Sequence, residues 1–257
     1  MDDKIIATIA AGTNLAPEDI QYEVDMTELS GKLFDFLKSE NVKVYLFGGT
    51  ALNKGFFGER QRLSRDLDIE VDKSQPFKKT ILKFESCLIK AGYSNIRVNE
   101  NKMSYTIYVS EMGKSREIKI DLVQQQNKIK PVPLTLHSLL EYNGIPIKTV
   151  NVMSYPFEYL LAYKLNALAR RMIYKDIYDS YTGLRLKFDR PTLVHYATLF
   201  DVNGQLFNNI IRNIEDGEYD KKDESGYGKL VQERYRVPLQ DMLYDIRARL
   251  EISRQGL

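Results

Sequence analysis

Apolar residues recur along positions 18–39 at spacings of three and four. Leu29, Leu33, Phe36 and Leu37 form one stripe, which predicts an amphipathic helix. Pro17, Glu18 and Asp19 suit its first turn, where the lost N–H costs nothing and negative charge meets the helix dipole. Val42 to Phe47 is short, apolar and rich in β-formers, as in a buried strand, and Gly48-Gly49-Thr50 breaks it. Leu67 to Val71 alternates apolar and acidic residues, which predicts a second strand. Pro76 to Ala91 is amphipathic and stops at Gly92, a helix with a glycine terminator. Met103 to Val109 and Glu117 to Val123 read as two more strands, with Gly113 in a hairpin-like turn between them. Strand signals fade past Ser154, which suits an N-cap. The stretch from Phe157 to Tyr181 holds neither Pro nor Gly before Gly183, and reads as helix. Thr192 to Phe200, Gln205 to Ile214 and Leu239 to Glu251 also read as helices, and Glu215 to Gly228 as a loop or mobile connector. The order predicts an α/β (α+β) fold with a mixed sheet over residues 1–150, then a helical bundle over 151–257. Pro131, Pro133 and Pro146 punctuate the crossing.

Composition narrows the class. With 257 residues, 43% hydrophobic and 28% charged, the chain can close a core, and long disorder is excluded. A single cysteine, Cys87, excludes a disulfide scaffold and suits a small core residue in a reducing compartment. The start Met1-Asp2-Asp3-Lys4 has the wrong charge for a signal peptide, and its apolar run is too short. No run approaches the ~18 apolar residues of a membrane span. A soluble cytoplasmic protein is expected.

The net charge is +2 but unevenly spread: residues 1–40 hold 9 acidic and 3 basic side chains, residues 161–190 hold 7 basic and 3 acidic. Two solvated helix faces of opposite sign would look like this. So would a basic wall facing a nucleotide or RNA.

The densest chemical signal is Gly48-Gly49-Thr50-Ala51-Leu52 followed by Arg62-Leu63-Ser64-Arg65-Asp66-Leu67-Asp68. Residues two apart on a strand share a face, so Asp66 and Asp68 project together while Leu67 and Ile69 enter the core. Glu70 continues the acidic face. Paired carboxylates repel unless a cation sits between them, and a hard divalent ion such as Mg²⁺ answers that. An edge strand with a solvated acidic face would show the same D-x-D. The upstream glycine pair adds weight, because strand, glycines and helix start leave backbone N–H groups where phosphates dock. Asp121, in the apolar run Ile118 to Val123, is the candidate third carboxylate, since a lone acid there is costly unless paired or metal-bound. A strand-end turn is the alternative.

A second cluster runs from Lys164 through Arg170-Arg171 to Lys175-Asp176-Ile177-Tyr178-Asp179. On a straight helix Lys164, Arg171 and Lys175 lie within about 20° of one line, a positive stripe fit for a triphosphate. Asp176 lies about 120° away and joins that face only if the helix bends or restarts near Ile173. An exposed helix laced with Lys–Asp pairs is the alternative. His137 and His195 lack zinc-type spacing and read as structural or surface residues. No nucleophile elbow, P-loop or dinucleotide fingerprint is present. Six tyrosines between Tyr155 and Tyr181 read mostly as packing residues, some able to stack on a base.

These residues resemble the AbiEii/AbiGii nucleotidyltransferase toxin family, within the polymerase-β-like nucleotidyltransferase superfamily. The resemblance spans about residues 20–185. It rests on the glycine motif, on Arg62-x-Ser64-x-Asp66-Leu67-Asp68, and on Lys164 with Arg171 and Lys175-Asp176-x-x-Asp179. It implies that Gly48 and Gly49 form the phosphate-side turn, with Thr50 and Ser64 as hydroxyl contacts. Asp66, Asp68 and Asp121 would hold Mg²⁺, Lys164 would contact nucleotide phosphates, and Asp176 would position the substrate or Lys164. Arg171 and Lys175 add to the nucleotide site. The sequence departs from the wider superfamily in having Gly49 where a serine is usual, and in its longer gap to the Asp pair.

The resemblance implies transfer of a nucleoside monophosphate from an NTP to an acceptor hydroxyl. The enzyme would be the toxin of a toxin–antitoxin, abortive-infection-like pair, with RNA such as tRNA as acceptor and a cognate antitoxin as partner. Two alternatives stay open: a nucleotidyltransferase acting on a small molecule such as an antibiotic, and a non-catalytic nucleotide- or partner-binding module.

Overall fold

The computed structural model describes residues 3–111, 116–126, 129–145, 147–201, 203–217, 219 and 228–254. Two helices come first, α1 (Asp3–Thr13) and α2 (Pro17–Ser39). They are followed by β1 (Val44–Phe47), α3 (Gly48–Phe56), β2 (Asp66–Val71), α4 (Phe77–Lys90), β3 (Tyr93–Glu100), β4 (Ser104–Glu111) and β5 (Ile118–Gln124). The ribbon β6 (Val132–Leu136) and β7 (Val150–Ser154) leads to α5 (Phe157–Arg170), α6 (Tyr174–Leu184), α7 (Arg190–Thr198), α8 (Leu206–Glu215) and α9 (Leu239–Arg254).

Five strands form a mixed sheet in the order β1-β2-β5-β4-β3. Only β2 and β5 run parallel, and Asp68 sits opposite Asp121 in their register. The alternation in β2 works as expected: Leu67, Ile69 and Val71 are fully buried on one face. On β5 and β4 the matching rows are Ile118, Ile120 and Leu122, and Tyr105, Ile107 and Val109, all buried. The opposite face therefore carries Asp66 and Asp68, then Lys119 and Asp121, then Thr106.

One large apolar core joins this sheet to α2, α3, α4 and the start of α5, reaching as far as Leu160. A second begins at Leu161 and continues through α6 to α9. The two cores thus meet along α5. A buried ion pair, Lys54 with Glu23, fastens α3 to α2, and Ser138 also donates to Glu23 at 3.1 Å.

The structure corrects several expectations. The helix expected over Phe157 to Tyr181 is two helices: Arg171 (φ −153°, ψ 105°) and Ile173 are extended, and α6 restarts at Tyr174. No proline or glycine marks this break. It is held by Asn213, whose amide donates to the Ala169 carbonyl at 3.0 Å, and by the ion pairs of Asp176 described below. Helix α1, the strand β3 and the ribbon β6–β7 were not expected. Strand β3 is mostly exposed, and its apolar alternation is limited to Ile96 and Val98. Strand β6 contains Pro133, which a two-stranded ribbon tolerates. Gly113, Pro146 and most of the 215–228 connector lie outside the described residues.

Candidate active site

The sharp transition from β1 to α3 builds one wall of the site. Gly48 takes φ +72°, a left-handed value that a side chain strains. A Cβ there would fall 2.8 Å from Asp68 Cγ and closer still to its Oδ2. Gly48 thus lets the turn lie directly against the Asp68 carboxyl. Gly48→Ala is expected to lower stability by roughly 1–3 kcal/mol and to cut transfer severely, because Asp68 must move aside. Thermal melts and a transfer assay check this; an unchanged melt with full activity would refute the close approach.

Asp66, Asp68 and Asp121 converge: one carboxylate oxygen from each lies within 4.8 Å of the others. Thr106 donates to Asp121 at 2.8 Å, and Lys119 pairs with the other oxygen of that carboxylate. Burial pushes the Asp68 carboxyl up to about 7, and the Asp66 and Asp121 charges push it the same way against the pull of Lys164 and Lys175. This is the electrostatic signature of a site short of positive charge. Three oxygen donors, one already drawing an ammonium, fit a hard divalent cation.

The cations stand behind Gly49. A Cβ on Gly49 would sit 2.9 Å from an Arg62 guanidinium nitrogen and 3.7 Å from Lys164 Nζ. Lys164 is buried, bound to Asp176 at 2.9 Å and Asp179 at 3.0 Å. Arg62 donates from Nε and Nη2 to Asp179 at 2.9 and 2.7 Å, a bidentate pair. Asn53 completes the cage, donating to Asp179 at 2.9 Å and accepting the Arg62 backbone N–H at 2.9 Å. Burial alone would weaken each charge. The opposing partners win: Arg62 and Lys164 are held above their ordinary pKa values, and Asp179 below its own.

This geometry changes the reading of several residues. The exposed Lys164–Arg171–Lys175 stripe does not exist as one helix face. The restart at Tyr174 instead turns Asp176 and Asp179 onto Lys164. Arg171 donates to Asp176 at 2.8 Å from a half-exposed side chain. Lys175 is half-buried, and its charge is felt at Asp68. Thr50 is fully buried and its hydroxyl donates to the Asp66 carbonyl at 2.5 Å, so it braces β2. Ser64 is buried with no hydrogen-bond partner for its hydroxyl among the described residues. Glu70 lies farther along β2, buried and bonded to Tyr155. His137 bonds Glu141 at 2.9 Å, and His195 lies on α7, so neither joins the cluster.

The residues that sequence reasoning left without a role are Arg62, Asn53 and Asp179. A usable signal existed for Asp179, since Asp176 and Asp179 are three apart and share a helix face. None existed for Asn53, whose partner lies 126 positions away.

The chain is similar in fold to MenT4, a nucleotidyltransferase toxin from Mycobacterium tuberculosis H37Rv. The TM-score is 0.70 at 16% identity, over 99% of this chain and 90% of that one. It is also similar to JHP933 from Helicobacter pylori, with a TM-score of 0.54 at 16% identity, over 95% and 94% of the two chains. No curated protein sequence matches. A family model described as "Nucleotidyl transferase AbiEii toxin, Type IV TA system" matches residues 33–251. The chain belongs to that family and is a nucleotidyltransferase of the toxin type. Among the described residues no helix is long and apolar enough to cross a membrane.

Proposed function

We propose that this enzyme transfers a nucleoside monophosphate from an NTP to a hydroxyl of an RNA acceptor such as tRNA, with Mg²⁺ held by Asp66, Asp68 and Asp121. The observation that carries the reading is the meeting of those carboxylates with the Gly48–Gly49 turn and the buried cations Lys164 and Arg62. When bound, the metal aligns the α-phosphate and lowers the cost of the attacking alkoxide.

The remaining roles fall to the chain itself. The N–H groups at the start of α3, which Gly48 and Gly49 leave uncovered by side chains of their own, receive phosphate oxygens. Lys164, kept charged by Asp176 and Asp179, offsets the charge that grows on the departing pyrophosphate. Asp176 acts through Lys164 and Arg171. Arg171 and Lys175, at the rim, add positive charge for the triphosphate tail. Asp121 orients the acceptor hydroxyl or accepts its proton. Ser64 offers a hydroxyl to substrate, and Thr50 keeps Asp66 in register. Residues 1–150 would bind nucleotide and metal, while 151–257 supply Lys164, Asp176 and Asp179 and a helical support. The family description supports a cognate antitoxin as partner.

The test is incubation with each α-labelled NTP, Mg²⁺ and total RNA. Label is expected in RNA, dependent on the metal. Label confined to a small acceptor would favour the antibiotic-modifying alternative, and absence of any transfer would favour the non-catalytic one.

A further inference from the structure

Helix α6 has two working sides. Asp176 and Asp179 face Lys164. Tyr178, Tyr181, Thr182 and Arg185 project about 140° around the helix from them. There they line a separate cleft of about 170 Å³, closed by Arg60 and by the Arg234–Tyr235 segment. That volume suits one nucleobase.

The walls are planar and cationic. The Arg185 guanidinium lies over the Tyr181 ring at 5.0 Å, and Arg234 lies over Tyr235 at 4.9 Å. Tyr178 donates to the Arg60 carbonyl at 2.7 Å and fixes the floor. Positive charge is incompletely answered. Arg185 reaches Asp245 only at 3.4 Å and Arg234 reaches Glu59 only at 3.9 Å. Arg60 is exposed and makes no ion pair among the described residues. Arginine planes and tyrosine rings together accept a base by stacking and a phosphate by N–H donation.

We propose that this cleft binds one nucleotide of a single-stranded RNA acceptor, upstream of the hydroxyl being modified. The proposal rests on RNA being the acceptor. It assigns the grip on the strand to the side of α6 turned away from Asp176, Asp179 and Lys164. An earlier base of the strand would then stack in the cleft while its end reaches the reaction centre. Arg60 of the cleft lies two residues before Arg62 of the cage, and α6 supplies side chains to both, so the cleft is built onto the catalytic frame rather than appended to it.

The test uses the full chain with Arg60→Ala/Arg234→Ala, and Tyr181→Ala beside Tyr181→Phe. The probe is a 5′-fluorescein single-stranded RNA of about twenty nucleotides, read by anisotropy across a salt series. The double variant is expected to bind it about ten-fold more weakly, with a salt dependence shallower by about one phosphate contact. Tyr181→Ala is expected to weaken binding and Tyr181→Phe to restore it, since stacking needs the ring alone. In transfer assays the KM for RNA should rise while the KM for NTP stays. A raised KM for NTP with unchanged RNA affinity would show that the cleft takes free nucleotide, and would overturn the proposal. Unchanged RNA affinity in every variant, or no RNA binding by the parent protein, would overturn it as well. If no RNA is modified but the variants still lose RNA binding, the cleft assignment holds and only the choice of reaction falls.

Discussion

Asp68→Asn is expected to reduce nucleotide transfer by at least about 10³-fold, equivalent to about 4 kcal/mol of transition-state stabilisation. It should simultaneously make the ion-free protein more stable. Both effects come from the same carboxyl. Asp68 is held up to about 7, chiefly by burial and then by Asp66. An unfolded aspartate titrates near ~3.9. The folded state therefore binds the proton more tightly. Its stability advantage is complete below about pH 4 and is lost as pH rises through about 7. In the ion-free parent, this loss should cost about 4 kcal/mol between pH 4 and pH 8. The amide has no charge to bury, so the variant should lack that part of the decline. Chemical denaturation at pH 4 and pH 8, with chelator present, checks this. Equal pH dependence of the two proteins would mean that Asp68 is not crowded by like charge.

Asp179→Ala is expected to cost the fold roughly 3–5 kcal/mol, the typical result of stranding a buried charge. Here the fully buried Asp179 receives both cations: its loss would strand Arg62 and leave Lys164 with Asp176 alone. Asn53 would lose one of its two acceptors, keeping the Gly49 carbonyl. The cage joins α3, the loop before β2, α5 and α6, so its loss should loosen the contact between the two apolar cores. Urea unfolding of the ion-free protein measures the cost. Asp179→Asn keeps the shape and one acceptor, and should fall between the parent and the alanine variant. A cost below about 1 kcal/mol for the alanine variant, the level of an exposed pair, would contradict the cage.

The site was legible where short-range periodicity governs it. Asp66 and Asp68 share a face because strand period is two, and Leu67 and Ile69 enforce that register by filling the core. Asp121 could be picked out as a costly acid in an apolar run, and the parallel register with Asp68 gives that cost its reason. The fold class followed from the alternation of strand and helix signals before residue 150 and helix signals after it. What escaped was decided by partners far along the chain. The break between α5 and α6 falls at Arg171 to Ile173, a segment with no local breaker. Asp176 pairs with Lys164 and Arg171 across it, and Asn213, 44 positions from its acceptor Ala169, holds the end of α5. Arg62 was visible as part of a motif, yet its role depends on Asp179, 117 positions away. Strand β3 pairs along an edge with its side chains largely in solvent, so its apolar alternation is only Ile96 and Val98, too short to mark a strand. Helix α1 packs Ile6 and Ile9 into a small cluster with Leu63, Leu139 and Leu230, all supplied from distant segments.

The central claim is that Asp66, Asp68 and Asp121 jointly grip a divalent cation. Calorimetric titration of Mg²⁺ into the ion-free protein at pH 8, with a non-hydrolysable NTP analogue present, tests it most directly. Saturable binding is predicted for the parent, at least ten-fold weaker in Asp68→Asn and in Asp121→Asn. Equal affinity in all three proteins would place the metal elsewhere and contradict the account.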